Sequence, residues 1–200
     1  MKSFNFQIRK GSLALLALFL FAVTLNAKKF VYNDGIIVNK TEVKIEEMAN
    51  ELYKKTGISA YLLTKKKLSG KGIIEFEKEF AKKVKTPFAI LTIVLNKQKV
   101  DIYSSPDLDN SFDKKAILSP YPWEGSIIPL LTGKKKNVSV SAAMLNGYAD
   151  MVEQLASSRD IKLKSGIGST NRDMIMTLKF SMYLFLLVMI GWYFIRKRKK

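Results

Sequence analysis

The first part of the chain alternates between strand-like apolar runs and helix-like apolar spacing. An apolar stretch from Phe30 to Val38 is interrupted by the turn signal Asn33-Asp34-Gly35. Apolar residues then recur at helical spacing after Asn39, which can cap the helix with Glu42 three positions on, until Thr56-Gly57 ends it. The pattern therefore predicts a strand and an amphipathic helix. The buried stripe of that helix is predicted to be Ile45, Met48, Ala49, Leu52 and Tyr53.

The same alternation continues through the middle of the chain. Ile58 to Thr64 predicts a second strand, and a second helical pattern stops before Pro87. Phe88 to Leu95 is nearly all apolar and β-branched, which is typical of a central strand covered on both faces. After a turn at 96–99, Val100 to Tyr103 predicts an antiparallel neighbour, so the sheet is mixed. The stripe of the second helix is Ile73, Phe76, Phe80, Ala81 and Val84.

A Pro-rich loop at 119–125 separates the hairpin from one more amphipathic helix, with a short helix predicted at 111–118. Residues 157–173 contain several Gly and Ser residues and predict a flexible linker. The pattern predicts a single α/β domain over residues 28–156. The last helix buries Met144, Tyr148, Met151, Val152 and Leu155.

Apolar segments at both ends of the chain predict export and membrane anchoring. Residues 1–27 combine basic residues with an apolar run too short to span comfortably, which indicates a signal peptide cleaved after Ala27 or, alternatively, an uncleaved anchor. Residues 174–195 match the roughly 30 Å hydrocarbon core and predict a transmembrane helix, and the basic tail 196–200 favours a cytoplasmic C-terminus. The prediction is a single-pass protein of the plasma (inner) membrane of a bacterial envelope, with a periplasmic, extracytoplasmic domain.

Composition excludes several classes of chemistry. The 200 residues include no Cys and no His, which excludes a disulfide scaffold, thiolate metal sites and histidine-dependent hydrolysis. The formal net charge is +17, and a basic excess persists in the exported domain. On a domain outside the membrane, this charge favours membrane lipid head groups or an acidic protein partner over nucleic acid.

A cluster of oxygen-bearing side chains after the hairpin is a candidate metal site. Asp107, Asp109 and Asp113 lie within seven residues, and Asp34 follows the first predicted strand and could join them. Carboxylates clustered on a loop are suitable ligands for Ca²⁺ or Mg²⁺. The alternative is that these residues form a turn and the N-cap of the short helix.

Two further features are candidate partner-binding sites. Tyr121 and Trp123 place large apolar side chains in the Pro-rich loop, which predicts either a docking patch for a membrane neighbour or a loop folded over the core. Lys134, Lys135 and Lys136 form a basic run that can contact anionic lipid or an acidic partner, or can simply be solvated.

Several segments together resemble the TPM domain family. Val31 to Gly35, the helix ending in Thr56-Gly57 and the strand Ile58 to Thr64 resemble its opening. Residues 74–81 resemble its second helix, and Phe88 to Tyr103 its central hairpin. The resemblance spans about residues 30–156 and implies a three-layer α/β/α sandwich with a mixed sheet, plus one C-terminal transmembrane helix. The Gly-rich segment that the family commonly has before the central strand is replaced here by 84–87, which contains no glycine.

Two functional hypotheses follow from the residues and the resemblance, because family members include accessory proteins and some acid phosphatases with bound divalent cations. The first is a non-catalytic binding or accessory module for envelope or membrane proteins. The second is a metal-dependent phosphatase in which Asp107, Asp109 and Asp34 hold the ion. The absence of His, Cys and the glycine segment favours the first.

Overall fold

The computed structural model describes residues 28–132, 136–168 and 170–198, so the predicted signal peptide, residues 1–27, lies outside the described residues. Helices and short 3-10 turns surround four strands. In chain order the elements are β1 Val31–Tyr32, α1 Asn39–Thr56, β2 Ser59–Lys65, α2 Ile73–Ala81, β3 Phe88–Val94, β4 Lys99–Ser104, α3 Lys114–Ile117, α4 Ile128–Leu131, α5 Lys136–Ser157 and α6 Thr170–Arg198.

The strands form one mixed sheet in the order β1-β2-β3-β4. The first three are parallel, and β4 returns antiparallel to β3. Every residue of β3 is buried, as its continuous apolar sequence predicted. The α/β class and the mixed sheet predicted from the sequence are therefore confirmed.

Helix α1 begins differently from the prediction and ends as predicted. Asn39 is the first helical residue and not the cap, because the cap position is Val38, whose carbonyl accepts the N–H groups of the first turn. The Glu42 carboxylate instead accepts a hydrogen bond from Asn33 Nδ2 at 3.0 Å, which ties the helix to the turn after β1. At the other end Gly57 has φ +75°, the left-handed conformation that suits glycine, and its N–H donates to Tyr53 O.

Three helices pack on the sheet and on one another. Helices α1 and α5 pack against each other, and the buried Tyr148 hydroxyl of α5 donates to Ala60 O of β2 at 2.9 Å. Helix α2 contacts β3 and β4, and its Phe80 ring meets Tyr61 of β2 edge to face at 5.3 Å. The predicted stripe of α1 is buried except for Tyr53, which is 40% exposed and contacts Phe30.

The segment predicted as a flexible linker is in part folded onto the domain. Leu163 and Ser165 are buried, and Lys55 Nζ of α1 donates to Lys162 O at 2.9 Å. The domain thus extends to about Ser165 and not only to residue 156. The sequence predicted a linker because Gly, Ser and Lys dominate this segment, whereas its docking depends on acidic side chains of distant helices.

Helix α6 occupies the region of the predicted transmembrane helix. No helix among the described residues is long and apolar enough to cross a membrane, so the structure does not support the predicted span. Within 174–195, the side chains at 174–176, 179 and 193–195 lie outside the described part of the chain. The described apolar side chains of α6 are all solvent-exposed, with exposed fractions between 49% and 70%.

Candidate functional site

The loop after β4 places its acidic residues on the surface. A 3-10 turn at Pro106–Leu108 buries Leu108 completely, and this anchors the loop to the core. Asp107 and Asp109 flank Leu108 and are both exposed. The buried Leu108 side chain therefore fixes the backbone of the loop, while the two neighbouring carboxylates stay in solvent.

Asp113 is the N-cap of α3. Its Oδ1 accepts a hydrogen bond from Ala116 N at 2.9 Å, and its own N–H donates to Gln154 Oε1 of α5 at 2.8 Å. This is the turn-and-cap arrangement that the sequence left open as an alternative to metal binding.

Asp34 lies at the opposite end of the sheet from Asp107 and Asp109. It follows β1 and contacts the end of β2, where its Oδ2 accepts Lys66 N at 3.1 Å. The loop after β4 leaves the sheet where β3 begins, because β4 runs antiparallel. Asp34 therefore does not join the other three, and no group of three or more acidic side chains in the described part of the chain is arranged to hold a metal ion.

A polar stripe on α5, formed by Asn146, Asp150 and Gln154, holds the chain between β4 and α4 in place. Asn146 Nδ2 donates to Ser126 O at 2.8 Å, and the buried Ser126 hydroxyl donates to Asp150 Oδ2. Gln154 Nε2 donates to Asp150 Oδ1 at 2.7 Å, while Gln154 Oε1 accepts from Asp113. The i, i+4, i+8 spacing of polar residues on an otherwise apolar helix is the sequence signal that could have identified this stripe.

The Pro-rich loop is folded over the core at one end and exposed at the other. Ile127 is fully buried, whereas Tyr121 and Trp123 are 54% and 59% exposed. The two exposed rings stack on each other, with centroids 5.1 Å apart and planes 17° from parallel. The loop is therefore folded over the core in part, as one alternative predicted, and a docking role of the exposed rings stays a prediction.

The backbone of this loop is fixed by internal hydrogen bonds. The N–H groups of Glu124 and Gly125 both donate to Tyr121 O, and Ser119 Oγ donates to Glu124 Oε2 at 2.7 Å. A Cβ atom at Gly125 would lie 1.8 Å from Ser119 O, so only glycine allows this close turn. The stacked rings therefore stand on a rigid support.

The predicted basic contact residues lie next in the chain. Lys134 and Lys135 are outside the described residues, and Lys136 begins α5 with a side chain that is also outside them.

Two surface grooves meet along α5. One, about 770 Å³, is lined by residues 109–115 together with Gln154 and Ser157. The other, about 1080 Å³, lies between the end of α5 and residues 160–168 and shares Gln154 and Ser157. The exposed acidic loop and the docked segment are therefore neighbours on one surface.

Two glutamates hold the docked segment. The Glu51 carboxylate of α1 accepts the N–H groups of Lys164 and Ser165 at 2.8 and 2.7 Å, and Glu153 Oε1 accepts Gly168 N at 2.9 Å. Burial raises the pKa of Glu51, but its hydrogen bonds with Lys55, Ser165 and backbone N–H groups outweigh burial and hold that pKa well below its usual range. The ionised form of Glu51 is thus the one that binds the segment.

Glu77 on α2 is a buried acid that faces β3 and β4. It is fully buried beside Thr92 and Asp101, and neither carboxyl oxygen makes a hydrogen bond of good geometry with a described residue. Burial raises the pKa of Glu77 to about 8; Thr92 offsets part of this rise and Asp101 adds to it. Glu77 is therefore mostly neutral at pH 7.

Comparisons with known proteins assign no family to the chain. No protein-family model and no curated protein matches it. Among solved structures it is similar to the NMR structure of the BA42 protein from the psychrophilic bacterium Bizionia argentinensis, with 12% sequence identity and a TM-score of 0.45. The similarity covers 68% of this chain and 97% of that chain.

Proposed function

We propose that the chain is a membrane-attached, extracytoplasmic binding or accessory module of the TPM type, without catalytic activity, that contacts a membrane or envelope protein. The observation that carries the proposal is the stacked, exposed Tyr121–Trp123 pair on a loop fixed by hydrogen bonds. Rigid exposed aromatic rings give a large contact area at a small cost in conformational entropy, which suits protein recognition.

The proposed attachment to the plasma membrane rests on α6 and on the sequence. From Leu178 to Trp192 the described apolar side chains are exposed all around the helix. A helix that is apolar on every side lacks the polar face of a surface helix in water. The sequence of 174–195 and the basic tail after it favour insertion with the C-terminus in the cytoplasm.

The TPM assignment and the three-layer α/β/α arrangement belong to the same proposal. The order β1, α1, β2, α2, β3, β4 follows the order expected from the resemblance. The complete burial of β3 and the helices packed on the sheet support the three layers. Anionic lipid is proposed as a second contact, through the basic run Lys134, Lys135 and Lys136.

Site-specific photocrosslinking tests the proposal. The full chain is expressed in membranes with a photoreactive residue in place of Tyr121, and a matched variant carries it in place of Ile74, an exposed apolar residue of α2. We expect a discrete crosslinked protein band at position 121 only, which disappears when Trp123→Ala removes the stacking partner. Equal crosslinking at both positions, or crosslinks to lipid alone at 121, would contradict the proposed protein contact.

Protease accessibility tests the topology separately. Protease added outside the membrane should remove the domain and spare the anchored segment, whereas a protected domain would overturn the proposed localisation.

A further inference from the structure

Helix α2 buries the carboxyl group of Glu77 beside Thr92 and Asp101 without a hydrogen bond of good geometry to any described residue. Ile73, Glu77 and Phe80 lie at helical spacing on the side of α2 that faces the sheet. Glu77 is 0% exposed, both of its carboxyl oxygens lack such a hydrogen bond, and so does the buried Thr92 hydroxyl of β3. An ionised carboxylate in such surroundings is strongly unfavourable, whereas a protonated one is tolerated.

The charged groups that face Glu77 from the neighbouring elements do not balance its charge. Asp101 of β4 is paired in register with Thr92 and adds a like charge, while Lys114 of α3 adds an opposite charge of smaller effect. Among the described residues, no lysine or arginine forms a salt bridge with Glu77. Asp101 Oδ1 already accepts its neighbour Ile102 N at 2.8 Å.

We propose that Glu77 is a proton-dependent switch: α2 stays docked on β3 and β4 while Glu77 is protonated, and loss of this proton as the pH rises favours opening of α2 from the sheet. Opening lets water reach the carboxylate and removes the cost of a buried charge. The helix is suited to this because it has only nine residues and is bounded by loops at both ends. The switch goes beyond the proposed function and does not depend on it.

The pH dependence has a defined form. In the open helix Glu77 titrates near the ordinary value of 4.5, and in the docked helix near 8. Between these two values the docked state binds more protons, so the equilibrium constant for opening rises about tenfold per pH unit and levels off above the upper value.

Hydrogen exchange of the full chain in lipid nanodiscs measures this opening. After correction for intrinsic exchange rates, protection of amides in 73–81 should fall about tenfold per pH unit from near pH 5 and reach a plateau at about pH 8. Glu77→Gln should make protection independent of pH, because the amide stays neutral. Glu75→Gln, which changes an exposed glutamate of the same helix, should behave as wild type.

Asp101→Asn removes the like charge beside Glu77, so amide protection in 73–81 should reach its plateau at a lower pH than in wild type. If Glu77→Gln fails to fold, ¹³C NMR of the wild-type protein tests the same proposal. The Glu77 carboxyl group should then titrate near pH 8. Protection that does not change with pH, or that changes equally in Glu77→Gln, would overturn the switch. Recovery of protection at pH 9 by millimolar Ca²⁺ or Mg²⁺ in wild type only would also overturn it, in favour of a cation site.

Discussion

Ile127 packs directly onto Gly147, because a Cβ atom at position 147 would lie only 2.1 Å from Ile127 Cγ1. This close approach seats the buried end of the Pro-rich loop against α5. It also brings Ser126 to the α5 polar stripe, where it bonds Asp150 and Asn146. The exposed Tyr121–Trp123 pair is thus positioned by a contact that needs a glycine in the middle of a helix.

Replacing this glycine should destabilise the domain. Gly→Ala in a helix interior normally gains up to about 1 kcal/mol. In Gly147→Ala, overpacking against Ile127 should outweigh that gain and lower the free energy of unfolding by about 1–3 kcal/mol. Chemical denaturation followed by circular dichroism measures this. Gly191→Ala, a helical glycine with open space around it, is the control and should not lower stability.

The docked segment should detach when Glu51 loses its charge. The pKa of Glu51 is lowered in the folded protein, so its contribution is present above the unfolded value of 4.5 and is lost as pH falls below it. Glu51→Gln should leave two N–H groups poorly paired and cost about 1–3 kcal/mol. Limited proteolysis within 160–168 should become faster in the variant, and in wild type at acid pH.

Glu47→Gln is the matched control for Glu51, because Glu47 is exposed on the same helix and pairs only with Lys44 in the described structure. Unchanged proteolysis in Glu51→Gln would show that the segment is held by other contacts.

Asp113 should stabilise the domain by capping the N-terminus of α3. Asp113→Ala removes the acceptor for Ala116 N and should cost about 1 kcal/mol, whereas Asp113→Asn keeps an oxygen in place and should cost much less. Thermal unfolding of the two variants compares these losses. Equal losses would mean that charge, and not capping, is what matters at this position.

Divalent metal should not stabilise the acidic loop. Asp107 and Asp109 are exposed, Asp113 is occupied as a cap, and Asp34 lies at the other end of the sheet. Millimolar Ca²⁺ or Mg²⁺ should therefore leave the melting temperature unchanged, in wild type and in the double variant D107N/D109N. A true ligand at a hundredfold excess over Kd would add about 2.7 kcal/mol. A rise in wild type that is lost in the double variant would favour the phosphatase hypothesis.

Local sequence pattern predicted most of the central elements. The apolar, β-branched run at 88–94 predicted a strand covered on both faces, because the side chains on both of its faces are apolar. The predicted end of α1 at Thr56-Gly57 is confirmed. Glycine adopts the left-handed conformation without a side-chain clash, so the signal comes from this residue itself. In contrast, the prediction that Asn39 caps α1 was wrong. Val38 holds the cap position, and the Glu42 carboxylate accepts a hydrogen bond from Asn33.

Contacts between distant residues were not available from the sequence. Glu77 stands at helical spacing between Ile73 and Phe80, but the sequence did not single it out, and the environment of its carboxyl group depends on β3 and β4. Strand direction separated Asp34 from Asp107, although both follow strands in the chain. Sequence by itself determined the longer helices and the strands β2 to β4, because these depend on residues close together in the chain, whereas α4 was not predicted and β1 is only two residues long. Only the tertiary structure decided which polar groups meet, such as Glu51 with Ser165, because a hydrogen bond requires a distance that spacing along the chain does not set.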